Sequence, residues 1–400
     1  MILNLLLSFI LINLINSHNV PADSDVGKDM LTIVTERGYP IETHYVTTSD
    51  GYILTMFRIP YGKKITNKGG SPVILQHGLL DSSYTWVSNF EDESLGYLLA
   101  DNGFDVWFGN NRGNRYGRNH TTLNPDDGTN NFWAFTWDEM GMIDAPTMIH
   151  YVLDKTGYDS VGWVGHSEGT IQMFAAGTST NNGDEYLKSA IEKVNLFVAL
   201  APVAYVSNMQ SKLLQFLAHT DVIDRLMNRG IYEFLPYGPI EQVAPEICRR
   251  GDKLCDIFLM TVCGPTLQLN SSRIQVYVSE TPAGTSSQNM KHWIQGVLNP
   301  TFQKYDFGTD ELNIQHYGTS TPPSYDLSKL VIPTALFSGS HDYLGDPKDV
   351  TKIVNEVPSN KIVYNDIQPD YAHLDFVWAP NAVDRIYNKA ISLLQQYKSK

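Results

Sequence analysis

A serine in a setting that suits nucleophilic catalysis stands in the segment Gly165-His166-Ser167-Glu168-Gly169, directly after an apolar run. This Gly-x-Ser-x-Gly pattern, between a predicted buried strand and a predicted helix, is typical of a nucleophile elbow. The elbow lifts the serine hydroxyl above a parallel sheet, and side chains at the two glycine positions would collide there. Because the pattern is common by chance, the apolar residues on both sides are needed to support it. The spacing predicts that Ser167 cleaves or transfers acyl groups.

A carboxylate for the same reaction is predicted further along the chain. A serine hydroxyl attacks an ester only when a base takes its proton and a carboxylate orients that base. With this elbow the chain order is Ser, then Asp or Glu, then His. The apolar run over 331–338 ends in small residues before Asp342, as expected at the carboxyl edge of a sheet. Asp346 and Asp349 compete for this role, but they surround Pro347 and are predicted to begin the next helix.

The predicted base is His373, which lies between an apolar run over 361–364 and an amphipathic segment over 382–396. These segments are predicted to be the last strand and the closing helix. A histidine on the loop between them can reach back to the elbow. His341 is nearer to Asp342 in sequence, but it would occupy the loop of the carboxylate itself and ranks second.

The negative charge that develops on the ester oxygen requires backbone N–H donors. One is expected from the residue after the nucleophile, Glu168, and the other from the loop after an early strand. An apolar run ends at His77 and Gly78, where the glycine allows a tight turn and leaves the Leu79 amide as the second donor. The side chains of His77 and His166 are predicted to be structural, since neither fits the Ser-Asp-His order.

Apolar runs alternate with helical stretches, a pattern typical of a mainly parallel sheet. An early hairpin is predicted over 43–60, with its turn at residues 49–51. Later strands are predicted near residues 72–77, 104–109, 160–165, 195–200, 331–338 and 361–365. The roughly 130 residues between the fourth and fifth of these are far too many for a normal crossover and predict an inserted cap. Its apolar runs at 213–217 and 257–260 could line an acyl pocket or simply pack helices together.

Several longer segments of the chain resemble the acid lipases, the family that contains gastric lipase and lysosomal acid lipase. The matching segments are HGLL at 77–80, DVWFGNNRGN at 105–114, FWAFTWDEM at 132–140, PAGTS at 282–286, QNM at 288–290, HW at 292–293 and HLDFVWA at 373–379. They extend over roughly residues 25 to 397, and their joint occurrence is far more specific than the elbow alone. The resemblance implies Ser167 as nucleophile, Asp342 as acid, His373 as base, and the amides of Leu79 and Glu168 as the oxyanion hole.

The resemblance also implies the architecture, an α/β-hydrolase fold with a mainly parallel central sheet, helices on both faces and an inserted, mostly helical cap. The expected hydrolase core comprises residues 18–204 and 326–400, and the expected cap domain with its lid comprises residues 205–325. Residues 1–17 are predicted to be a cleaved signal peptide, because their apolar run is too short to span a membrane and ends in small or polar residues. No other segment is predicted to cross a membrane.

Glu168 departs from the family pattern, since mammalian acid lipases usually carry Gln there. The oxyanion donor is a backbone amide, which this change keeps, and a Glu in the first turn of a helix is favoured by the helix dipole. A carboxylate beside an oxyanion nevertheless opposes negative charge unless it is protonated or turned away. We therefore hypothesise that Glu168 is tolerated and biases the enzyme to acidic pH.

Three cysteines lie close together, and in a secreted chain an odd count implies one disulfide and one free thiol. Spacing and the resemblance favour a Cys248–Cys255 bridge that leaves Cys263 free. No metal site is expected there, because no histidine lies among the three, and no cofactor is expected. Asn119 and Asn270 begin sequons that predict N-glycosylation in the secretory pathway.

The formal net charge of −14 argues against nucleic acid as a partner and against electrostatic docking on anionic membranes. The sequence predicts a secreted or lysosomal acid lipase that hydrolyses long-chain fatty acid esters at a lipid–water interface. Triacylglycerol is the leading substrate, followed by cholesteryl ester. Two alternatives stay open: a non-catalytic lipid-binding protein on a lipase fold, and an acyltransferase or peptidase that uses the same three residues.

Overall fold

The structure, a computed structural model, describes residues 21–65, 69–238, 240–250, 252–266 and 268–398. The predicted signal peptide, residues 1–17, lies outside the described residues. None of the helices in the described ranges has both the length and the apolar character needed to cross a membrane.

A nine-stranded sheet forms the centre of the molecule, in the order β1-β2-β4-β3-β6-β7-β10-β11 with β5 paired to β2. Its strands are β1 (Glu42–Thr47), β2 (Tyr52–Ile59), β3 (Pro72–Gln76), β4 (Asp105–Phe108), β5 (Asn119–His120), β6 (Val161–His166), β7 (Val194–Leu200), β10 (Thr334–Gly339) and β11 (Ile362–Gln368). The strands from β4 to β11 along this order are parallel, and the β1–β2 hairpin adds an antiparallel edge. The mainly parallel sheet predicted from the sequence is confirmed.

Helices cover both faces of the sheet because its central strands are apolar on both sides. In β3, Ile74 enters one apolar cluster while Val73 and Leu75 enter the other. In β7, Phe197 and Val198 divide in the same way. Successive side chains of a strand point to opposite faces, so each cluster needs its own layer of helices.

The helices that flank the sheet are α1 (Met30–Glu36), α2 (Leu95–Asp101), α3 (Trp137–Glu139), α4 (Ala145–Thr156), α5 (Glu168–Thr178), α6 (Glu185–Ile191), α14 (Pro347–Glu356), α15 (Asp375–Trp378) and α16 (Asn388–Tyr397). Single π-helical turns at Met140–Asp144 and Val383–Tyr387 precede α4 and α16. Short 3-10 turns lie at Ser83–Trp86, Ser271–Arg273 and Leu327–Lys329.

Helices make up most of the regular secondary structure in the long segment between β7 and β10, as expected. It contains α7 (Lys212–Ala218), α8 (Val222–Met227), α9 (Ala244–Arg250), α10 (Asp252–Cys263), α11 (Ile274–Val278), α12 (Ser287–Leu298) and α13 (Asp310–Tyr317), with a small antiparallel pair β8 (Glu233–Phe234) and β9 (Thr285–Ser286). A disulfide between Cys248 and Cys255 links α9 to α10, and Cys263 is a buried free thiol. The division into a core and a cap domain at residues 204 and 326 stays a prediction.

Two boundaries differ from the sequence expectation for local reasons. The strand expected from residue 331 begins at Thr334, directly after Pro333, whose nitrogen has no hydrogen to donate to a neighbouring strand. The loop expected between the last strand and the closing helix contains the short helix α15. Its first residue, Asp375, accepts a 2.7 Å hydrogen bond from the N–H of Ala372 and so stabilises the turn that leads into the helix.

Candidate active site

Ser167 occupies the turn between β6 and α5, with backbone angles φ 53° and ψ −117°. A positive φ is strained for a residue with a side chain and is maintained only by the surrounding structure. A Cβ at Gly165 would overlap the carbonyl of Gly169, and a Cβ at Gly169 would overlap the carbonyl of Gln76. Both positions therefore require glycine, as the elbow pattern predicts, and the turn places Ser167 at the carboxyl edge of the sheet.

Asp342 and His373 follow β10 and β11, so they lie at the same sheet edge as Ser167. The Nδ1 atom of His373 is 2.9 Å from each carboxylate oxygen of Asp342. The carboxylate also accepts 2.8 Å hydrogen bonds from the N–H groups of Leu344 and Gly345. Because Nδ1–H donates to the carboxylate, Nε2 is the basic nitrogen of the ring. Within the described part of the chain Nε2 is buried and has no hydrogen-bond partner, so it is available to accept a proton.

The rival residues are engaged elsewhere. Asp346 accepts a hydrogen bond from the N–H of Lys348 and caps the start of α14. Asp349 accepts hydrogen bonds from the backbone and side-chain nitrogens of Asn208. His341 is exposed. The geometry therefore pairs Asp342 with His373, as the sequence order suggested.

The loop that carries His373 is held at two points. The ring Nε2 of His166 lies 3.0 Å from the carbonyl oxygen of His373, and burial lowers the pKa of His166 to about 3, so the ring donates in its neutral form. The carbonyl of Cys263, at the end of α10, accepts hydrogen bonds from the backbone N–H groups of His373 and Tyr343 at 3.2 and 3.3 Å. The loops that carry Asp342 and His373 thus share one hydrogen-bond acceptor on α10.

His77 orients the peptide that is predicted to supply an oxyanion donor. Its Nε2 accepts a 3.1 Å hydrogen bond from the N–H of Asn111, so its proton is on Nδ1, which donates to the Gly78 carbonyl at 2.8 Å. Burial lowers the pKa of His77 to about 4, which keeps the ring neutral in mild acid. The C=O and N–H of a trans peptide point in opposite directions. Holding the Gly78 carbonyl therefore aims the N–H of Leu79 away from His77.

Glu168 begins α5, and its side chain is buried, with 1% of the residue exposed. Oε1 accepts hydrogen bonds of 2.7 Å from Nδ2 of Asn289 and 2.8 Å from Nε1 of Trp293, both on α12. Oε2 accepts a 3.0 Å hydrogen bond from Nδ2 of Asn111. Burial raises the pKa of Glu168 to about 7, although these hydrogen bonds oppose the rise.

The site is closed in this structure, since Ser167, Asp342 and His373 are 6%, 1% and 2% exposed. Within the described residues no group of three or more His, Cys, Asp or Glu side chains is arranged to hold a metal ion. Of the two predicted glycosylation sites, Asn119 is exposed, whereas Nδ2 of Asn270 donates hydrogen bonds to Asn89 and Glu93. Glycosylation at either asparagine stays a prediction.

Comparison with known families agrees with this geometry. The family described as "alpha/beta hydrolase fold" matches residues 71–380, and the "Partial alpha/beta-hydrolase lipase region" matches residues 30–90. Among solved structures, a soluble variant of monoglyceride lipase from Saccharomyces cerevisiae has the same fold. Its TM-score is 0.52 at 14% identity, with 95% of this chain and 99% of that chain covered. The elbow and the sheet thus define an α/β-hydrolase.

Sequence relatives narrow the class further. Human lysosomal acid lipase/cholesteryl ester hydrolase is 39% identical over 382 residues, which cover 94% of this chain and 93% of that protein. Human gastric triacylglycerol lipase is 39% identical over 391 residues, which cover 94% of each chain. The chain belongs to the acid lipase family of ester hydrolases, and the resemblance described from the sequence is confirmed.

No sequence pattern assigns a role to the side-chain partners of Glu168. Asn289 and Trp293 are 121 and 125 residues away from Glu168, a separation that local patterns do not bridge. Both residues fall in segments shared with the acid lipases, and that was the one available signal.

Proposed function

We propose that this protein is a serine lipase that hydrolyses esters of long-chain fatty acids, with triacylglycerol as the leading substrate and cholesteryl ester second. The observation that carries the proposal is the pairing of the buried Asp342 and His373 at the sheet edge that also carries the strained Ser167. The names of the two relatives, a cholesteryl ester hydrolase and a triacylglycerol lipase, support the substrate class.

In the proposed reaction the hydroxyl oxygen of Ser167 attacks the ester carbonyl while Nε2 of His373 takes its proton. Asp342 holds the imidazole in the required tautomer and stabilises the imidazolium. The amides of Leu79 and Glu168 donate to the oxyanion. His373 then gives its proton to the leaving alcohol. A water molecule, deprotonated by His373, then attacks the acyl group, and His373 returns the proton to the oxygen of Ser167 as the fatty acid leaves.

Residues 205–325 are proposed to act as the cap, with α7 and α10 facing neutral lipid. Neither predicted acyl-pocket run is wholly buried. Leu214 and Leu217 of α7 are buried, whereas Phe216, Ile257 and Phe258 are about half exposed on α7 and the adjacent α10. Because the net charge is −14, attraction to a lipid surface has to be hydrophobic. The carbonyl at the end of α10 accepts hydrogen bonds from the loops of Asp342 and His373, so α10 connects this face to the closed site.

An acidic working compartment, in secretions or in the lysosome, is supported by other buried carboxyl groups. Burial raises the pKa of Asp81 to about 6 and of Asp375 to about 7. A carboxyl group whose pKa is raised on folding contributes stability below its unfolded pKa, and this is lost as the pH rises through its folded pKa. Both groups therefore favour the folded state in acid.

The test is fatty-acid release from a triolein emulsion between pH 4 and 8, comparing the protein with Ser167→Ala. We expect release with an acidic optimum that the substitution abolishes, and faster turnover on emulsified than on monomeric ester. Cholesteryl oleate in the same assay ranks the second substrate. Added alcohol tests acyl transfer, which would appear as product esters. An absence of release from both folded proteins would overturn the proposal in favour of a lipid-binding role.

A further inference from the structure

The side chain of Glu168 connects the two predicted oxyanion donors. One donor is the N–H of Glu168 itself. The other, the N–H of Leu79, is reached through a chain of contacts: the carboxyl group bonds the side chain of Asn111, the N–H of Asn111 bonds His77, and His77 bonds the Gly78 carbonyl. A change in this carboxyl group therefore acts on both sides of the oxyanion pocket.

The hydrogen-bond distances around Glu168 accept either protonation state. The amide oxygen of Asn111 lies 2.5 Å from Nε2 of Gln76 and 3.0 Å from Nε2 of Gln172. An amide flip exchanges oxygen and nitrogen at almost the same positions. When the side-chain amides of Asn111, Gln76 and Gln172 are all flipped, the protonated carboxyl group of Glu168 donates to the amide oxygen of Asn111. The amide nitrogen of Asn111 then donates to the amide oxygens of Gln76 and Gln172. A glutamine at position 168 can bond in the same direction.

No cation pairs with this carboxyl group within the described residues. Arg112, next in the chain to Asn111, is held by Asp144 and Asp50. On α3, which packs against α5, Asp138 pairs with Lys304.

Further charged or titratable groups on neighbouring elements are engaged or neutral. Glu139 accepts hydrogen bonds from Thr136, Lys291 of α12 pairs with Asp224, and His373 faces Asp342. The rings of His77, His166 and His292 are buried, and burial lowers their pKa to about 4, 3 and 3. Ionisation of Glu168 would thus put an uncompensated charge beside the pocket where negative charge develops.

We propose that Glu168 is a positioning residue of the oxyanion pocket that works in its neutral form, so that ionisation of its carboxyl group suppresses ester hydrolysis as the pH rises. The inference rests on the proposed function. It assigns the alkaline limb of the pH profile to one residue. The raised pKa of Glu168, about 7, agrees with a limb in the neutral range.

The test compares the wild type with Glu168→Gln, which keeps the hydrogen bonds and removes the charge. Rates on water-soluble p-nitrophenyl butyrate are measured from pH 4 to 9, with Ser167→Ala as the blank. The ratio of kcat at pH 8 to kcat at pH 5 is expected to rise about tenfold or more in Glu168→Gln. The exposed Glu192→Gln removes the same charge elsewhere and should keep the wild-type profile. Coincident profiles for wild type and Glu168→Gln would overturn the inference.

Infrared difference spectra between wild type and Glu168→Gln report the carboxyl group without any turnover. A protonated carboxyl band that is present at pH 5 and lost by pH 8 supports the proposal. A group already ionised at pH 5 overturns it. Failure of the proposed function has a different signature, since no hydrolysis sensitive to Ser167→Ala would then be seen while the infrared result still applies to Glu168.

Discussion

Two buried carboxyl groups flank Ser167, and their partners differ. Asp342 faces an imidazole nitrogen and two backbone N–H groups. Glu168 faces two side-chain amides and an indole, all neutral. In the proposed reaction the imidazole becomes positively charged, so a carboxylate beside it is stabilising. The oxyanion develops on the other side, where a second carboxylate would be harmful.

This difference teaches that burial alone does not decide the charge of a carboxyl group. Removing a carboxylate from water costs several kcal/mol unless a charged or strongly bonding partner compensates. Asp342 has a partner that gains charge during the reaction, whereas Glu168 has none. We therefore propose that Asp342, beside His373, is a charged carboxylate, whereas Glu168, beside the oxyanion donors, is a neutral carboxylic acid.

The largest effect is expected on the base side. Asp342→Asn should lower kcat by about 10⁴-fold with little change in KM, because an amide no longer fixes the imidazole tautomer. Steady-state kinetics on a soluble ester measure it. The matched control is Asp349→Asn, which changes a nearby buried carboxylate bonded to Asn208 and should retain most activity. A loss below tenfold in Asp342→Asn would remove Asp342 from the mechanism.

A smaller loss of kcat is expected when the hydrogen bond that orients the predicted Leu79 oxyanion donor is removed. His77→Leu deletes the donor to the Gly78 carbonyl and should lower kcat by about 10²-fold at unchanged KM. His44→Leu, a half-buried histidine on β1 that bonds Tyr151, should keep kcat. Circular dichroism verifies the fold of both variants. Equal kcat values for the two variants would mean that His77 does not act on the oxyanion pocket.

The third effect is a fall in the free energy of unfolding as the pH rises. Because burial raises the pKa of Glu168 from 4.5 to about 7, its contribution to folding is present below pH 4.5 and lost as the pH rises through 7. Between pH 4 and 8 the wild type should lose on the order of 3 kcal/mol more than Glu168→Gln in its free energy of unfolding. Urea titrations at both pH values measure this loss. Glu192→Gln should lose as much stability as the wild type. An equal loss in the free energy of unfolding for all three proteins would contradict the proposal that the Glu168 carboxyl group is neutral in the folded protein.

Much of the fold was predictable because short stretches of sequence determine its strands and turns. The strands around Ile74, Trp163 and Val198 are continuous apolar runs, as a sheet covered on both faces requires. The elbow was predictable because its glycines are dictated by close backbone approach. The choice of Asp342 over Asp346 followed from the helix start at Pro347, which the structure contains.

The remainder depended on contacts that no local pattern encodes. The sequence suggested that Glu168 is unusual, but not that Asn289 and Trp293 enclose it. The exposed positions of Ile257 and Phe258 are likewise set by the packing of α10 on α7, because an apolar run in a helix is equally compatible with a buried face and an outer one.

The carbonyl of Cys263, shared by the N–H groups of His373 and Tyr343, determines how the proposed cap can move. Swinging α10 away at this end would break the hydrogen bonds that hold the loops of Asp342 and His373. A cap movement that keeps these hydrogen bonds would have to rotate α10 about its Cys263 end and carry the disulfide-linked end near Cys255 with α9. A helix of twelve residues is a lever about 18 Å long, so a tilt of about 30° carries its far end about 9 Å while the pivot stays in place.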